Sequence, residues 1–325
     1  MHGFKTLQEY FNQVLEKESF TKQPVTLYEP IDYSIRTEGK RLRPVLCLAS
    51  CELFGGTLSD ALNAAIGIEL FHNFTLLHDD IMDQAPIRRG KPSVYKKWNS
   101  NIAILSGDTM FAKAYEYIGK SSHEKLPQIH RVFTQTAIEV CEGQQHDMDF
   151  ENRTHVTEEE YIEMIRLKTA VLIGCSLKIG GIVGNASKED LEYIYKFGEK
   201  LGIAFQLKDD LLDAYADQEK FGKQTGNDIV TNKKTYLLIK AFEKADEGQR
   251  ERLNYFFDSS KNFDDKEKVK AVMEIFNRFG IREETQHTIR QYQQEAIQAL
   301  DAINISEGRK GTLLAITDYL DKREA

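Results

Sequence analysis

The distribution of proline limits most strongly what this chain can fold into. All six prolines of the 325-residue sequence occur at or before Pro127, so the C-terminal part of the chain has none. Proline ends helices and is frequent in turns, linkers and edge strands, so a long proline-free tract favours long helices with short connections. We therefore expect an all-α fold, and we expect residues 1–325 to form a single domain because no proline-rich linker divides them.

Apolar residues recur at helical spacing along the chain. Between residues 61 and 83 they follow one another at intervals of one, three or four, which is too continuous for a half-exposed helix. This segment is expected to cross the middle of a bundle of ten or more long helices. A capping-box pattern, TEEE at residues 157–160, predicts the start of another helix.

Charge and cysteine content exclude several classes of protein. The net charge is −8, which argues against a nucleic-acid partner because such proteins contact phosphates through basic patches. No run of about 18 apolar residues occurs, so no transmembrane helix is expected. The four cysteines form no CxxC pair, and the first residues lack the pattern of a signal peptide. These features predict a cytoplasmic protein with reduced thiols.

The clearest local signal is an acidic motif, DDIMD at residues 79–83, inside an otherwise apolar segment. On a helix, positions i and i+4 share a face, so Asp79 and Asp83 present two carboxylates side by side while Asp80 lies on an adjacent face. Burying like charges in this way is unfavourable unless a cation lies between them, and Mg²⁺ takes such oxygen ligands. A single motif of this type also occurs on solvated helix faces, so by itself it leaves both interpretations open.

A second copy of the motif favours the metal site. The segment FQLKDDLLD at residues 205–213 contains Asp209, Asp210 and Asp213, again between apolar residues. If the two helices face each other, their carboxylates form two walls of a metal cluster that a diphosphate can bridge, because the ions neutralise charge on its oxygens. The paired motifs therefore predict metal-dependent chemistry on a diphosphate.

Basic clusters occur near the acidic motifs. GKRLRP occupies residues 39–44, RRGKP occupies residues 88–92, and further lysines are Lys168, Lys223 and Lys233. Arginine binds phosphate oxygens in a bidentate manner, whereas lysine acts as a point charge. Each cluster taken alone is typical of a solvated surface. Their positions near the acidic motifs favour diphosphate binding.

As a set, these segments resemble the trans-isoprenyl diphosphate synthases, the polyprenyl synthetase family. The matching motifs occur in the expected order between about residues 30 and 240. They are GKRLRP (39–44), ELFH (69–72), DDIMD (79–83), RRG (88–90), GD (107–108), GQQHD (143–147), KT (168–169) and FQLKDDLLD (205–213).

The resemblance implies a single all-α bundle of long helices around a deep central cavity, the isoprenoid synthase-like fold, in a homodimer. It also implies a reaction in which an allylic diphosphate (dimethylallyl, geranyl or farnesyl) loses its diphosphate to three Mg²⁺ ions. The double bond of isopentenyl diphosphate then attacks the allylic cation, and the departed diphosphate accepts the proton that is lost. The residues agree, because no Ser–His–Asp or Cys–His nucleophile is apparent.

The resemblance assigns functional residues by position. The expected metal ligands are Asp79, Asp83 and Asp209, supported by Asp80, Asp210 and Asp213. The expected ligands of the allylic diphosphate are Arg88, Lys168, Lys223 and Lys233. Those of isopentenyl diphosphate are Lys40, Arg43, His72 and Arg89, with the backbone of Gly39 close by. Thr169 and Gln206 are expected to flank the reacting carbons, where their dipoles stabilise the cation.

The chain departs from the family pattern at two places. Tyr95 stands where the family often has histidine after the paired arginines. NKKT at residues 232–235 replaces the commoner GKPT. Either Lys233 or Lys234 therefore fits the family's lysine, with Lys233 the expected one. Neither departure touches the acidic motifs.

Product length in this family depends on what closes the cavity just before the first acidic motif. Thr75 lies four residues before Asp79 and is small, whereas an aromatic side chain there would stop the product early. Phe74 is bulky and is expected to form a deeper floor, unless it only packs in the core. No two-residue insertion interrupts the motif. The arrangement predicts a short-chain product, C20 (geranylgeranyl) or C15 (farnesyl) diphosphate.

Several alternatives stay open at this point. A class I terpene cyclase shares the bundle and the first motif, but it should carry an Asn/Ser/Glu-type second motif and has no need of basic clusters for a second diphosphate. A longer-chain polyprenyl diphosphate synthase shares both motifs. A catalytically silent regulatory subunit should have lost one motif, and a plain helical scaffold would not need acidic motifs in apolar helices.

Overall fold

The computed structural model describes residues 2–216, 226–258, 260–261 and 263–321. These residues are mostly helical, which confirms the predicted all-α fold with more than ten helices. None of the described helices is both long enough and apolar enough to cross a membrane.

The elements follow one another with short connections. The first part of the chain contains α1 (Phe4–Lys17), α2 (Val25–Arg36), α3 (Leu42–Leu53), α4 (Leu58–Met82), β1 (Ile87–Arg88), β2 (Lys91–Pro92), α5 (Val94–Lys97) and α6 (Ser100–Ile118). The middle contains α7 (Leu126–Glu151), α8 (Glu158–Ile165), a π-helical turn (Arg166–Ala170), α9 (Val171–Val183) and α10 (Lys188–Tyr215). The last part contains α11 (Asn227–Val230), α12 (Tyr236–Lys244), α13 (Glu247–Phe256), α14 (Asp265–Arg278), α15 (Ile281–Asp301) and α16 (Glu307–Asp321).

The chain divides into two compact units. One comprises Met1–Thr134, Cys175–Ile194 and Ile303–Ala315. The other comprises Gln135–Gly174, Tyr195–Ala302 and Ile316–Ala325. That residues 1–325 form one domain around a central cavity stays a prediction.

Helix α4 carries the first acidic motif and is buried along most of its length. The helix starts at Thr57, whose N–H donates to the Asp60 carboxylate (3.1 Å). It packs against α3 and α6. The approach to α6 is close because Gly67 has no side chain: a Cβ there would lie 2.9 Å from the Ala114 carbonyl oxygen. The predicted continuous apolar helix is therefore confirmed.

The second unit has a hydrophobic core of its own. Leu207 and Leu211 of α10 belong to the same buried cluster as Tyr236 of α12 and Phe276 of α14. The predicted capping box at residues 157–160 is confirmed, because the Thr157 hydroxyl and the Glu160 carboxylate each accept the other residue's N–H. This core supports the end of α10 on which the second acidic motif lies.

Candidate active site

The first acidic motif lies at the C-terminal end of α4. The Asp83 N–H donates to the Asp79 carbonyl oxygen (2.8 Å), so the two aspartates are one helical turn apart. Asp79 is half-buried and Asp83 is exposed. The backbone thus has the spacing that the sequence predicts for a pair of carboxylates on one face.

Asp80 has a different environment, because it is buried and bound to an arginine. Two N–H groups of Arg88 donate to its Oδ1, one from Nε (2.8 Å) and one from Nη2 (2.6 Å). Burial raises the pKa of Asp80, and the Arg88 guanidinium opposes that rise. Asp80 therefore fixes the position of Arg88, one of the predicted diphosphate ligands.

Arg88 and Arg89 belong to a tight hairpin. The strands β1 and β2 pair antiparallel, with Arg88 opposite Lys91. At the turn, Arg89 (φ 52) and Gly90 (φ 74) both adopt the left-handed conformation, as a two-residue hairpin turn of this type requires. Such a backbone is strained for arginine and is typical of functional sites. The basic run predicted to bind diphosphate therefore has a defined shape.

Arg41 holds the first basic loop in place. Arg41 precedes α3 in the left-handed conformation (φ 50), and its side chain is buried. Its Nη1 donates to Glu69 Oε1 (2.6 Å), and its Nη2 donates to the carbonyl oxygens of Ile35 (2.5 Å) and Thr37 (3.2 Å). Asn73 also donates to Glu69 Oε1 (3.1 Å). The buried pair of Arg41 and Glu69 fixes the backbone that carries Lys40 and Arg43.

Arg43 and His72, two predicted ligands of isopentenyl diphosphate, contact each other. The distance between Arg43 Nη1 and His72 Nε2 is 3.2 Å. Burial, followed by the charges of Arg43 and Arg89, keeps the pKa of His72 well below its usual range. Because arginine only donates, neutral His72 accepts at Nε2 and carries its proton on Nδ1.

Gly39 and Arg89 approach each other closely in the same unit. A Cβ at Gly39 would lie 2.7 Å from Arg89 Nη1, so a side chain there would have to displace the Arg89 guanidinium. Lys40 is exposed next to Gly39. The structure thus brings Gly39 to Arg89, and Arg43 to His72, as the prediction of a binding site for isopentenyl diphosphate requires.

The residues predicted to set product length lie on α4 among aromatic rings. The centroid of the Phe74 ring is 5.1 Å from that of Phe111, 5.5 Å from that of Phe71 and 4.8 Å from that of His78. The Thr75 hydroxyl donates to the His72 carbonyl oxygen (2.8 Å) within the helix. Phe74 is thus held by several partners.

Asp210 of the second acidic motif belongs to a buried hydrogen-bonded network in the second unit. Tyr161 donates its hydroxyl proton to Asp210, and Gln206 donates from Nε2 to Asp210 Oδ1 (3.2 Å). Thr169 in turn donates to Gln206 Oε1 (3.1 Å). Burial and the negative charge of Asp228 raise the pKa of Asp210 to about 7.

Lys168 and Thr169 lie on the π-helical turn between α8 and α9, and such turns are frequent at functional sites. Two glycines make room for the turn. A Cβ at Gly143 would lie 2.3 Å from Lys168 N, and one at Gly202 would lie 2.6 Å from Ala170 Cα. The Lys168 ammonium donates to Asp147 Oδ2 (2.6 Å).

Lys233 is close enough to influence both Asp147 and Asp210. Burial raises the pKa of Asp147, but the ammonium groups of Lys168 and Lys233 together hold it below its usual range. Lys233 likewise opposes the upward shift of the pKa of Asp210. Lys223 lies outside the described residues.

The carboxylates fit a divalent cation by their chemistry. The donors in both motifs are oxygen atoms, which hard dications such as Mg²⁺ prefer. Burial, followed by the negative charge of Asp228, raises the pKa of Asp210, and a cation bound at this carboxylate would favour its charged form. Within the part of the chain that the structure describes, no three His, Cys, Asp or Glu side chains are grouped so that they could hold a metal ion. Mg²⁺ often takes only one or two carboxylates and completes its shell with water and substrate phosphates.

Three polar residues of the site are not among those predicted from the sequence. Asp147 stands in the GQQHD motif, and this motif is the signal in the sequence that points to it. Its pairing with Lys168 is seen only in the structure. Asp228 follows the second motif, and its N–H donates to Asp213 Oδ2 (2.9 Å). Tyr161 has no local signal, since it reaches Asp210 across 49 positions of sequence.

Comparisons with known proteins identify the family of the chain. The sequence pattern of the family described as polyprenyl synthetase matches residues 24–276. A short chain isoprenyl diphosphate synthase of Methanothermobacter thermautotrophicus is 40% identical over 302 residues, which cover 93% of this chain and 91% of that protein. A geranylgeranyl diphosphate synthase of Methanosarcina mazei is 40% identical over 304 residues, with the same coverage of 93% and 91%.

A solved structure is similar over the whole chain. A crystal structure of geranylgeranyl pyrophosphate synthase superimposes with a TM-score of 0.95 at 43% sequence identity, covering 100% of both chains. Since the family pattern and the relatives span most of the sequence, the chain belongs to the polyprenyl synthetase family and is an isoprenyl diphosphate synthase, a prenyltransferase.

Proposed function

We propose that this enzyme condenses isopentenyl diphosphate with allylic diphosphates in a Mg²⁺-dependent reaction and releases geranylgeranyl diphosphate, a C20 product. The observation that carries the proposal is that a cationic side chain is bound to the first acidic motif, where Arg88 donates to Asp80. In the unit of the second motif, Lys168 donates to Asp147, and the adjacent Thr169 donates to Gln206. Carboxylates for a dication together with cations for phosphate oxygens are the groups that ionisation of a diphosphate needs.

The proposed ligands of Mg²⁺ are Asp79, Asp83 and Asp209, with Asp80, Asp210 and Asp213 in support. Bound Mg²⁺ supplies neutralisation of the negative charge on the leaving diphosphate. The proposed number is three ions per active site, which rests on the resemblance to the family. The oxygen donors of both motifs support the proposal, because hard dications prefer such ligands.

The allylic diphosphate is proposed to bind the ammonium groups of Lys168 and Lys233 and the guanidinium of Arg88, with Lys223 as a further ligand. Asp147 orients Lys168 through their 2.6 Å ion pair. Next to Lys168, the hydroxyl of Thr169 donates to the side chain of Gln206. The dipoles of these two groups are proposed to stabilise the allylic cation.

Isopentenyl diphosphate is proposed to bind in the first unit, where Arg43, Arg89, Lys40, His72 and Gly39 supply the contacts. Neutral His72 accepts from Arg43 and so limits the rotation of its guanidinium. The close approach of Gly39 to Arg89 keeps the backbone and the guanidinium together. Arginine in a fixed orientation binds phosphate oxygens in a bidentate manner.

A C20 product is favoured over C15 by two observations. Two proteins with the printed name geranylgeranyl synthase match 93% and 100% of this chain. Phe74, the proposed floor, is held against Phe71 and Phe111, and the small Thr75 leaves the next position of the helix without an aromatic ring. Phe74 and Thr75 are therefore proposed to set the product length together.

A homodimer and a cytoplasmic location complete the proposal. On α6 the apolar side chains of Ile104 and Leu105 are 41% and 59% exposed, and a second copy of the chain would cover them. The four cysteines form no disulfide with one another, which is usual in a reducing compartment. Light scattering of the purified protein tests the dimer.

Product analysis tests the chemistry. The enzyme is incubated with labelled isopentenyl diphosphate and with dimethylallyl, geranyl or farnesyl diphosphate in turn, in Mg²⁺, and the products are dephosphorylated and sized. We expect a C20 alcohol with every primer. A C15 end product or products beyond C20 would show that the chain-length assignment is wrong. A cyclic hydrocarbon would indicate a terpene cyclase, and no elongation with any primer would refute the proposed reaction.

A further inference from the structure

The loop that carries Lys233 contains an asparagine in a strained conformation. Asn232 has a φ of 61, which is the left-handed region. Glycine adopts this conformation freely, whereas asparagine adopts it at a cost, which is smaller than for most other residues. The contacts that stabilise the backbone conformation of Asn232 therefore bear on the orientation of the next residue, Lys233.

A buried lysine from α14 supplies these contacts. Lys268 is only 4% exposed. Its ammonium donates to Asn232 Oδ1 (2.5 Å) and to the Val230 carbonyl oxygen (3.2 Å). The same ammonium lies 4.9 Å from the centroid of the Phe257 ring. Lys268 thus ties the loop to α14 at two points.

Burying the Lys268 ammonium costs free energy, because the charged group loses its hydration. Burial lowers the pKa of Lys268; the charge of Asp265 opposes this shift, and the charge of Lys234 adds to it. An apolar side chain of the same length would pack there without the loss of hydration. Lys268 is therefore better explained by the polar groups that it holds than by its contribution to the core.

The two lysines that follow Asn232 have different surroundings. The Lys233 N–H donates to the Asp228 carbonyl oxygen (2.9 Å), and its ammonium is near enough to Asp147 and Asp210 to act on both carboxylates. Lys234 donates to the Asn232 carbonyl oxygen at 3.5 Å and lies 6.0 Å from the centroid of the Phe257 ring. The loop conformation therefore separates the two side chains.

We propose that Lys268 is a positioning residue that holds Asn232 in its left-handed conformation and thereby directs Lys233, and not Lys234, to the substrate diphosphate. The inference rests on the proposed function, in which Lys233 binds the allylic diphosphate. It adds a residue outside the family motifs, and it explains how this chain keeps the loop shape with asparagine in the place of glycine.

The test compares Lys268→Met with a matched control. Methionine keeps the length of the side chain and removes the donor. We expect the KM for farnesyl diphosphate to rise about tenfold, with less than a twofold change in the KM for isopentenyl diphosphate. The affinity for farnesyl thiolodiphosphate, an unreactive analogue, should fall by the same factor in calorimetry. Lys310→Met is the control, because Lys310 is 1% exposed and paired with Glu307; it should leave both affinities unchanged.

Two further variants keep the test decisive. Asn232→Ala removes the same contact from a half-exposed loop, so it reports on the contact even if Lys268→Met does not fold. In Asn232→Gly the left-handed conformation no longer needs the contact with Lys268. Adding Lys268→Met to it should therefore change the affinity for farnesyl thiolodiphosphate less than threefold. A full tenfold loss in that background would overturn the role of Asn232 as the link.

Lys233→Met and Lys234→Met separate the inference from the proposed function. If Lys233→Met weakens binding of the analogue and both Lys268→Met and Asn232→Ala do not, the positioning role is wrong and the function stands. If Lys234→Met weakens binding and Lys233→Met does not, the assignment of the loop lysine is wrong. If none of these variants alters binding, the role of the loop in the proposed function is wrong as well.

Discussion

Lys168 and Asp147 form an ion pair across 2.6 Å, which joins the π-helical turn to helix α7. The pair is largely buried, with 21% of the lysine side chain and 15% of the aspartate side chain exposed. The carboxylate therefore orients the ammonium that is proposed to bind the allylic diphosphate, in a place where water screens the pair only in part.

Removing this charge should weaken binding of the allylic substrate. In Asp147→Asn the Lys168 ammonium loses its charged partner, and we expect the KM for farnesyl diphosphate to rise about threefold to tenfold. The KM for isopentenyl diphosphate should stay within twofold. Asp149→Asn on the same helix is the control, since Asp149 is exposed and accepts from Gln145. Equal effects of the two variants would contradict the role given to Asp147.

Loss of only one partner of the buried Arg41–Glu69 pair should lower the free energy of unfolding strongly. Arg41→Met leaves the Glu69 carboxylate buried without its guanidinium, which should lower the free energy of unfolding by about 3–5 kcal/mol. In the double variant Arg41→Met/Glu69→Leu no charge is left behind, so the loss should be smaller than in Arg41→Met alone. Urea unfolding of wild type, Arg41→Met, Glu69→Leu and the double variant measures these values. A double variant as unstable as the sum of the single ones would argue against a coupled pair.

Phe74→Ala should lengthen the product. The substitution removes the ring that is proposed to close the cavity, so we expect products beyond C20, detected by sizing the dephosphorylated chains. The matched control is Tyr115→Phe, which keeps an aromatic ring in the cluster that Phe74 joins through Phe111. Its product should keep the wild-type length. Unchanged product length in Phe74→Ala would mean that Phe74 only packs in the core.

Acid should weaken the cap of helix α8. The hydrogen bond from Arg153, followed by that from the Thr157 backbone, lowers the pKa of Glu160 in the folded protein. A lowered folded pKa means that Glu160 stabilises the fold above its unfolded pKa of about 4.3, and that this contribution is lost as pH falls through the folded value. The difference in Tm between wild type and Glu160→Gln should be full at pH 7 and shrink below about pH 4. Glu159→Gln, at an exposed neighbour outside the capping box, is the control and should change the Tm at pH 7 less than Glu160→Gln does.

Local patterns in the sequence predict the helices and the acidic motifs. Helix α4 and the spacing of Asp79 and Asp83 follow from apolar periodicity, which depends on neighbours within one or two turns. The capping box at Thr157 and Glu160 is local for the same reason. The order of the motifs also indicates the family, because each motif is a contiguous stretch of residues.

Contacts between distant segments account for what the sequence does not predict. The π-helical turn at Lys168 needs the space left by Gly143 and Gly202, and neither glycine is adjacent to it in sequence. The left-handed backbone at Arg41 depends on Glu69, which is 28 positions away. Such positions are decided by tertiary packing, which overrides local preference.

The most direct measurement is the rate at which labelled isopentenyl diphosphate is added to farnesyl diphosphate, with Mg²⁺ and after its removal by a chelator. We expect elongation to stop without the metal and to resume when Mg²⁺ is restored. Asp79→Asn and Asp209→Asn should each lower kcat by about a hundredfold or more in saturating Mg²⁺, because each removes a proposed metal ligand. Elongation at the wild-type rate in the chelator, or in Asp209→Asn, would contradict the assignment of metal-dependent prenyl transfer to the two acidic motifs.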